Sequence, residues 1–254
     1  MNTLQQYRDL IIVLTHKEIK LRYKNTLFGY LWSIANPLTF SLVFFLAFKI
    51  VMKINMEDYP LFLIAGLFPW QWFSNSLNAS SELFLTNASI IKKVNFARNA
   101  IPLATVLQDM IHFLLSIPVL VVFLFGYKKA PSLVWVWGIP ILLLDQLILV
   151  YGLSLLIASI NLFFRDLQKL VAILVTLTFY CTPIIYPETM IPGQYQYLIH
   201  LNPVAPLLIG WRDLFLHGKI EGSRLLVSFF FAFFSLAAGY AVYRKLSWKF
   251  AEVL

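Results

Sequence analysis

The fold class this sequence predicts is an all-α integral membrane protein with six transmembrane helices. Three observations predict it. Hydrophobic residues fill 60% of the 254 positions and charged residues only 13%, more apolar surface than a soluble domain of that length can hide. Several apolar runs reach the roughly 20 residues that a helix needs to cross a hydrocarbon core of about 30 Å. The 20 Lys and Arg outnumber the 12 Asp and Glu, for a formal charge of +8. They gather at the ends of the apolar runs, where they set topology and meet anionic lipid rather than nucleic acid.

Each element follows from its local pattern. Over residues 4–23, Leu4, Tyr7, Leu10, Ile11, Leu14, Ile19 and Tyr23 recur among Arg8, Lys17, Lys20 and Arg22. This is an amphipathic helix, too short and too charged to span, and its expected place is the membrane surface. A basic cluster rather than small residues follows its apolar part, so the segment is read as retained and not as a cleaved leader. The first span is expected over 30–51, between Lys24 and Lys53. The second, 59–81, continues through Pro69 and turns polar beyond Ser76. Residues 82–97, "ELFLTNASIIKKVNFA", form an amphipathic connector ahead of a third span over 103–125. After the turn "GYKKAPS" comes a fourth span, 133–163, long enough to tilt or project, and "FFRDLQK" closes it. The fifth, 170–185, is shortened by "TPIIYP". Within 187–217, "YQYLIH" and "PVAPLLIGWRDLFL" are each too short to cross and read as re-entrant or interfacial segments. The last span is 225–243.

Six spans put both termini on one side. Most of the Lys and Arg lie in the N-terminal segment, the connector, the turn between the fourth and fifth spans, and the tail "RKLSWKFAEVL". The positive-inside rule therefore assigns both termini to the cytoplasm. The chain reads as one membrane domain without a soluble appendage.

Chemistry-bearing motifs are scarce. No GxxxxGK[ST] phosphate loop is present, so the chain does not bind and hydrolyse ATP by that route. His16, His112, His200 and His217 are scattered without metal-ligand spacing, and the single Cys181 excludes an intrachain disulfide framework. No metal is expected. Asp109 and His112 share a helical face on the third span, and Asp145 lies inside the fourth beside Gln146. A bare carboxylate at the bilayer centre costs roughly 2.5–3.5 kcal/mol, so such residues face a partner, an interface or a wet path. Proton coupling is the alternative use, weakened because the two acids show no basic partner in sequence. Trp32, Asn36, Phe40, Phe44 and Phe48 recur every four residues on the first span, drifting about 40° per step and so winding round the helix. Rings in a pore suit a repetitive glycan, and Trp and Phe also anchor and pack in lipid.

Five strings in order, "RYKNTLFGYLWSIANPL", "IIKKVNFARNAIPL", "NLFFRDLQKL", "YCTPIIYP" and "LNPVAPLLIGWRDLFL", spread over nearly the whole chain. They resemble the membrane-spanning permease of ABC transporters that export polysaccharides such as O-antigen, capsule or teichoic acid. The resemblance implies a homodimer working with two separate ATP-hydrolysing subunits, this chain being no enzyme itself; ATP and Mg would be held by the partners, and no cofactor by this chain. It implies that 4–23 is a cytoplasmic interface helix. It implies that 82–97 is a coupling helix docked on the ATPase, with Glu82, Thr86, Lys92 and Lys93 at the contact. It further implies a path for lipid-linked glycan past Trp32, Asn36, Phe40, Phe44 and Tyr180, and an external gate with Tyr186, Pro187, Tyr195 and Tyr197. Lys20, Arg22 and Lys24 are placed to meet either a lipid pyrophosphate or anionic headgroups. One departure is Ala97, where many relatives carry Pro, which affects where the connector ends.

Two other classes stay open at this stage. A stand-alone carrier or channel would show inverted repeats and helices broken at midplane. A transferase acting on lipid-linked sugar would need a catalytic cluster at one membrane face, for which Glu188, His200, Asp213 and His217 are the available residues without a recognisable spacing.

Overall fold

The computed structural model describes residues 3–23, 31–51, 53, 58–94 and 96–253, and every regular element among them is helical. Helix α1 covers Thr3–Tyr23. The expected bend after it, with Lys24, lies outside the described residues. Helix α2, Leu31–Phe44, continues as a π-helical stretch over Phe45–Val51, so the first apolar run is helical over its described residues, 31–51. The remaining long helices are α3 (Tyr59–Ser80), α6 (Ala100–Gly126), α7 (Trp135–Asn161) and α11 (Gly222–Leu246). Shorter ones are α4 (Leu83–Thr86), α5 (Ala88–Lys93), α8 (Leu167–Cys181), α9 (Tyr197–Leu201), α10 (Ala205–His217) and α12 (Phe250–Val253).

Among the described residues, three helical runs, Ala100–Gly126, Trp135–Asn161 and Gly222–Lys249, are long and apolar enough to cross a membrane. The protein is a multi-pass membrane protein. Helix α3 is apolar around most of its girth, as a central helix must be; every residue from Leu61 to Trp70 is buried. It packs against α2, α6, α7, α8 and α10. Helices α7 and α11 cross most closely where Gly152 meets Gly239: a methyl group on either would collide with the backbone of the other helix. Small residues allow this approach in lipid, where no hydrophobic force drives helices together. At the same crossing Ser235 Oγ donates to the Leu149 carbonyl at 3.1 Å.

Helix α1 turns one apolar stripe inward. Tyr7, Leu10, Ile11 and Leu14 pack into a cluster with Phe84, Ile91, Ile101, Ala104 and Phe250, while Ile12 and Val13 face outward. The connector differs from its expectation. One amphipathic helix was the natural reading of 82–97, but the chain forms α4 and α5 with a break at Asn87. Asn87 leaves helical geometry at φ −100° and ψ 13°, and its Nδ2 donates to the Leu83 carbonyl at 2.9 Å. Such a local side-chain bond competes with helix continuation. After α8 the chain forms two 3₁₀ turns at Glu188–Met190 and Gly193–Tyr195, then α9 and α10. Helix α10 stops at Gly218, which is left-handed at φ 59°. Its N–H donates to the Leu214 carbonyl, and the Lys219 N–H to that of Asp213, the pattern of a glycine C-cap.

Candidate functional site

A groove of about 310 Å³ opens between α2, α3 and α8. One wall is aromatic. Phe40 stacks on Phe44 with ring centroids 6.5 Å apart, Phe44 meets Phe179 at 5.8 Å, and Phe179 meets both Trp70 at 5.4 Å and Tyr180 at 5.3 Å. The other wall is a polar stripe on α3, formed by Gln71, Ser74, Asn75 and Asn78. These positions are spaced i, i+3, i+4 and i+7, so they share one helical face. Among the described residues the lining carries no charged side chain. Amides and hydroxyls facing ring surfaces suit a neutral, hydroxyl-rich ligand: the amides exchange hydrogen bonds with hydroxyls while the rings cover C–H faces.

The structure thus brings together Phe40, Phe44 and Tyr180 of the expected path. Trp32 is 54% exposed and does not line the groove. The side chain of Asn36 is outside the described residues. Trp70, Phe179 and the amide stripe were not singled out from sequence. The stripe was legible as a 3.6-residue polar period inside "QWFSNSLN", and the apolar length of the run concealed it.

At one end of α3 the polar groups are ion-paired. Arg22, near the end of α1, pairs with Asp109 on α6, and Ser76 of α3 donates to the same carboxylate at 2.8 Å. The expectation that Asp109 lacks a basic partner is therefore corrected: its partner comes from 87 positions away in the chain. Asp145 is fully buried and away from the groove lining. Lys17 Nζ donates to Asn87 Oδ1 at 2.6 Å. Lys20 is exposed. Within the connector, Glu82 accepts from Gln168 Nε2 at 2.8 Å and Thr86 Oγ1 donates to the Glu82 carbonyl at 3.0 Å. Lys92 and Lys93 are exposed in the last turn of α5, where the helix dipole favours positive charge.

At the other end of α3, in the corner Thr182–Tyr186, three side-chain donors hold the carbonyls of Pro183, Ile184 and Ile185. Arg212 of α10, 5% exposed, gives Nη1 to the Pro183 carbonyl at 2.7 Å and Nη2 to that of Ile184 at 2.9 Å. Its guanidinium also covers the Phe62 ring at 3.6 Å. Tyr59 Oη donates to the Ile185 carbonyl at 2.7 Å. Gly66 leaves room for this arrangement, since a Cβ there would lie 2.7 Å from Arg212 Nη2. Arg212 was also missed in sequence, although an Arg inside "LLIGWRDLFL" is a signal in its own right. Tyr186 Oη donates to the Tyr180 carbonyl at 2.9 Å. Burial, with the Cys181 thiol beside it, raises the Tyr186 phenol above its ordinary range, so it keeps its proton and donates at neutral pH. Pro187 caps the first 3₁₀ turn, and Tyr195 and Tyr197 are exposed. The acids nearby neutralise Arg224, whose nitrogens lie 2.8 Å from Glu188, 3.7 Å from Asp213 and 2.7 Å from Glu221. Among the described residues, no three His, Cys, Asp or Glu are grouped to hold a metal ion.

The chain is thus a helical membrane protein with a neutral groove of rings and amides between three of its helices. Residues 9–216 match the ABC-2 type transporter family, and the chain belongs to that family. Membership implies ATP-binding partner subunits. Among its relatives, the chain is 46% identical over 246 residues to the O-antigen export system permease protein RfbA of Klebsiella pneumoniae, covering 97% of this chain and 95% of that protein. It is 33% identical to the protein of the same name from Myxococcus xanthus, over 89% and 87% of the two chains. To the polysialic acid transport protein KpsM of Escherichia coli it is 28% identical, over 90% of each.

Proposed function

We propose that this chain is the permease subunit of an ATP-driven exporter that moves a lipid-linked polysaccharide of O-antigen type across the cytoplasmic membrane. The observation that carries the reading is the groove of Phe40, Phe44, Trp70, Phe179 and Tyr180 against the amide stripe of α3, in a chain 46% identical to an O-antigen export permease. A neutral, sliding surface of rings and amides holds each sugar of a repeat weakly and alike, which a moving polymer requires.

In this reading two copies of the chain pair in the inner membrane, with six spans each and all termini cytoplasmic. Helices α2 to α3, α6 to α8 and α11 supply the spans, and α9 and α10 are re-entrant at the outer side. Helix α1 is the interface helix. Helices α4 and α5 form the coupling region, through which Glu82, Thr86, Lys92 and Lys93 meet two ATP-binding subunits. Those subunits hold ATP and Mg. Lys20 and Lys24 face headgroups, and Tyr186, Pro187, Tyr195 and Tyr197 border the external gate.

The test is reconstitution with the ATP-binding subunit in liposomes loaded with lipid-linked glycan, reading ATP-dependent exposure of the sugar to a lectin. Exposure that requires ATP hydrolysis and both subunits is the expected result. Failure to co-purify an ATPase, or export that survives loss of hydrolysis, refutes the reading.

A further inference from the structure

We propose that α1 carries a polar relay from the connector to the wall of the groove, with Lys17, Arg22, Asp109 and Ser76 as its positioning residues. The inference rests on the permease reading above and goes beyond it in assigning these four side chains a shared task.

The relay has two ends. At the first, Lys17 Nζ holds Asn87 Oδ1 at 2.6 Å. Asn87 is 5% exposed and occupies the break between α4 and α5, so any movement of the connector that turns this break pulls on Lys17. At the second, Arg22 pairs with Asp109, and Ser76 completes the carboxylate's shell. Between them lie one and a half turns of uninterrupted helix, a rigid separation of about 7.5 Å. The far end is adjacent to the groove. A polar recess lined by Arg22 and Asp109 is also lined by Gln71 and Asn75, the same two amides that line the groove. Displacing Arg22 therefore changes what the amide stripe of α3 faces.

The two partners at the second end differ in burial. Asp109 is 3% exposed and Arg22 37%. A carboxylate so deeply buried needs its cation, because removal of one partner leaves an uncompensated charge. Arg22, reaching in from the surface, can move. Its task is then to answer Asp109, and the headgroup or pyrophosphate role suggested by its position falls to its neighbours.

The test uses the full transporter with its ATP-binding subunits. The ATP-induced emission change is read from a fluorophore on Asn78→Cys in a Cys181→Ser background. Because Asn78 lines the groove, ATP hydrolysis and glycan export are read from the unlabelled protein without the Asn78→Cys change. Arg22→Gln alone strands Asp109, so the informative variant is Arg22→Gln with Asp109→Asn, which removes both charges. It is expected to assemble and hydrolyse ATP near the wild-type rate while the ATP-induced emission change and glycan export fall roughly tenfold, within the 5- to 150-fold span of ordinary site-to-site coupling. Arg22→Lys should retain both signals. Lys17→Met should reproduce the defect, and combining it with the double variant should add nothing, as members of one chain of contacts are non-additive. An emission change that persists in the double variant, or defects that simply add, overturns the relay. If the wild type shows the emission change but exports no glycan, the cargo assignment fails and the relay stands.

Discussion

Gly239 offers the sharpest test of the packing that frames the groove. In Gly239→Ala the added methyl group lands on the Gly152 carbonyl, and a backbone atom cannot rotate aside. Overpacking of this kind costs about 1–3 kcal/mol, more when backbone must move, while replacing Gly by Ala in a helix favours folding by about 1 kcal/mol. Separating α7 from α11 also stretches the bond from Ser235 Oγ to the Leu149 carbonyl, worth about 0.6 kcal/mol in membrane helices. The balance is a net loss of roughly 0.6–2.6 kcal/mol, or a melting point lower by roughly 1–10 °C for a chain of this size. Thermal unfolding of the purified protein, followed by circular dichroism, measures it. Gly126→Ala is the control, since no heavy atom lies within 4 Å of its added methyl; it should melt at or above the wild type. A Gly239→Ala protein that melts with its Gly126→Ala counterpart would refute the close crossing.

Three further predictions address the groove and its anchors. Phe179→Ala, which removes the ring joining Phe44, Trp70 and Tyr180, should lower export severalfold at unchanged ATP hydrolysis, and Trp32→Ala should lower it less; equal effects in reconstituted export would show that the groove is not the path. Tyr59→Phe leaves the buried Ile185 carbonyl without its donor and should destabilise by about 1–2 kcal/mol, read as a lower denaturation midpoint. Gln146 donates to the Pro69 carbonyl at 2.8 Å and accepts from Trp211 Nε1 at 2.7 Å. Gln146→Leu and Trp211→Phe should therefore couple by about 0.6–1.7 kcal/mol in a double-mutant cycle, and strict additivity would count against the contact.

Much of the fold was legible because membrane helices announce themselves by length and hydropathy. The expected spans over 103–125, 133–163 and 225–243 fall inside or close to helices at Ala100–Gly126, Trp135–Asn161 and Gly222–Leu246. Boundaries were less legible where a side chain bonds its own backbone, as at Asn87, because hydropathy carries no record of that bond. The site was half legible. Phe40 and Phe44 stood out as aromatics at regular spacing, and Tyr180 was implied only by the family resemblance. Trp70 and Phe179 did not, since an aromatic ring buried in the protein and one lining a groove read alike in sequence. Pairings between distant segments were invisible: neither Arg22 with Asp109 nor Arg212 with the carbonyls of Pro183 and Ile184 follows from any local pattern.

These long-range pairs also decide which end of α3 can yield. The helix is held at both ends, by Tyr59 Oη on the Ile185 carbonyl near its start and by Ser76 on the Asp109 carboxylate near its finish, with the groove residues in between. It is also held between these two anchors, where Gln146 donates to the Pro69 carbonyl and Trp72 Nε1 donates to the Val106 carbonyl. Arg212, 5% exposed, reinforces the first from inside, where low dielectric strengthens its bonds to the corner carbonyls. Arg22 reinforces the second from the surface, where water and salt screen its attraction to Asp109. The Asp109 end is thus the cheaper one to open, and it is also the end joined to α1 and the connector. In the relay proposed above, a force delivered through the connector would reach α3 at this end first and shift the amide stripe relative to the rings of α2 and α8.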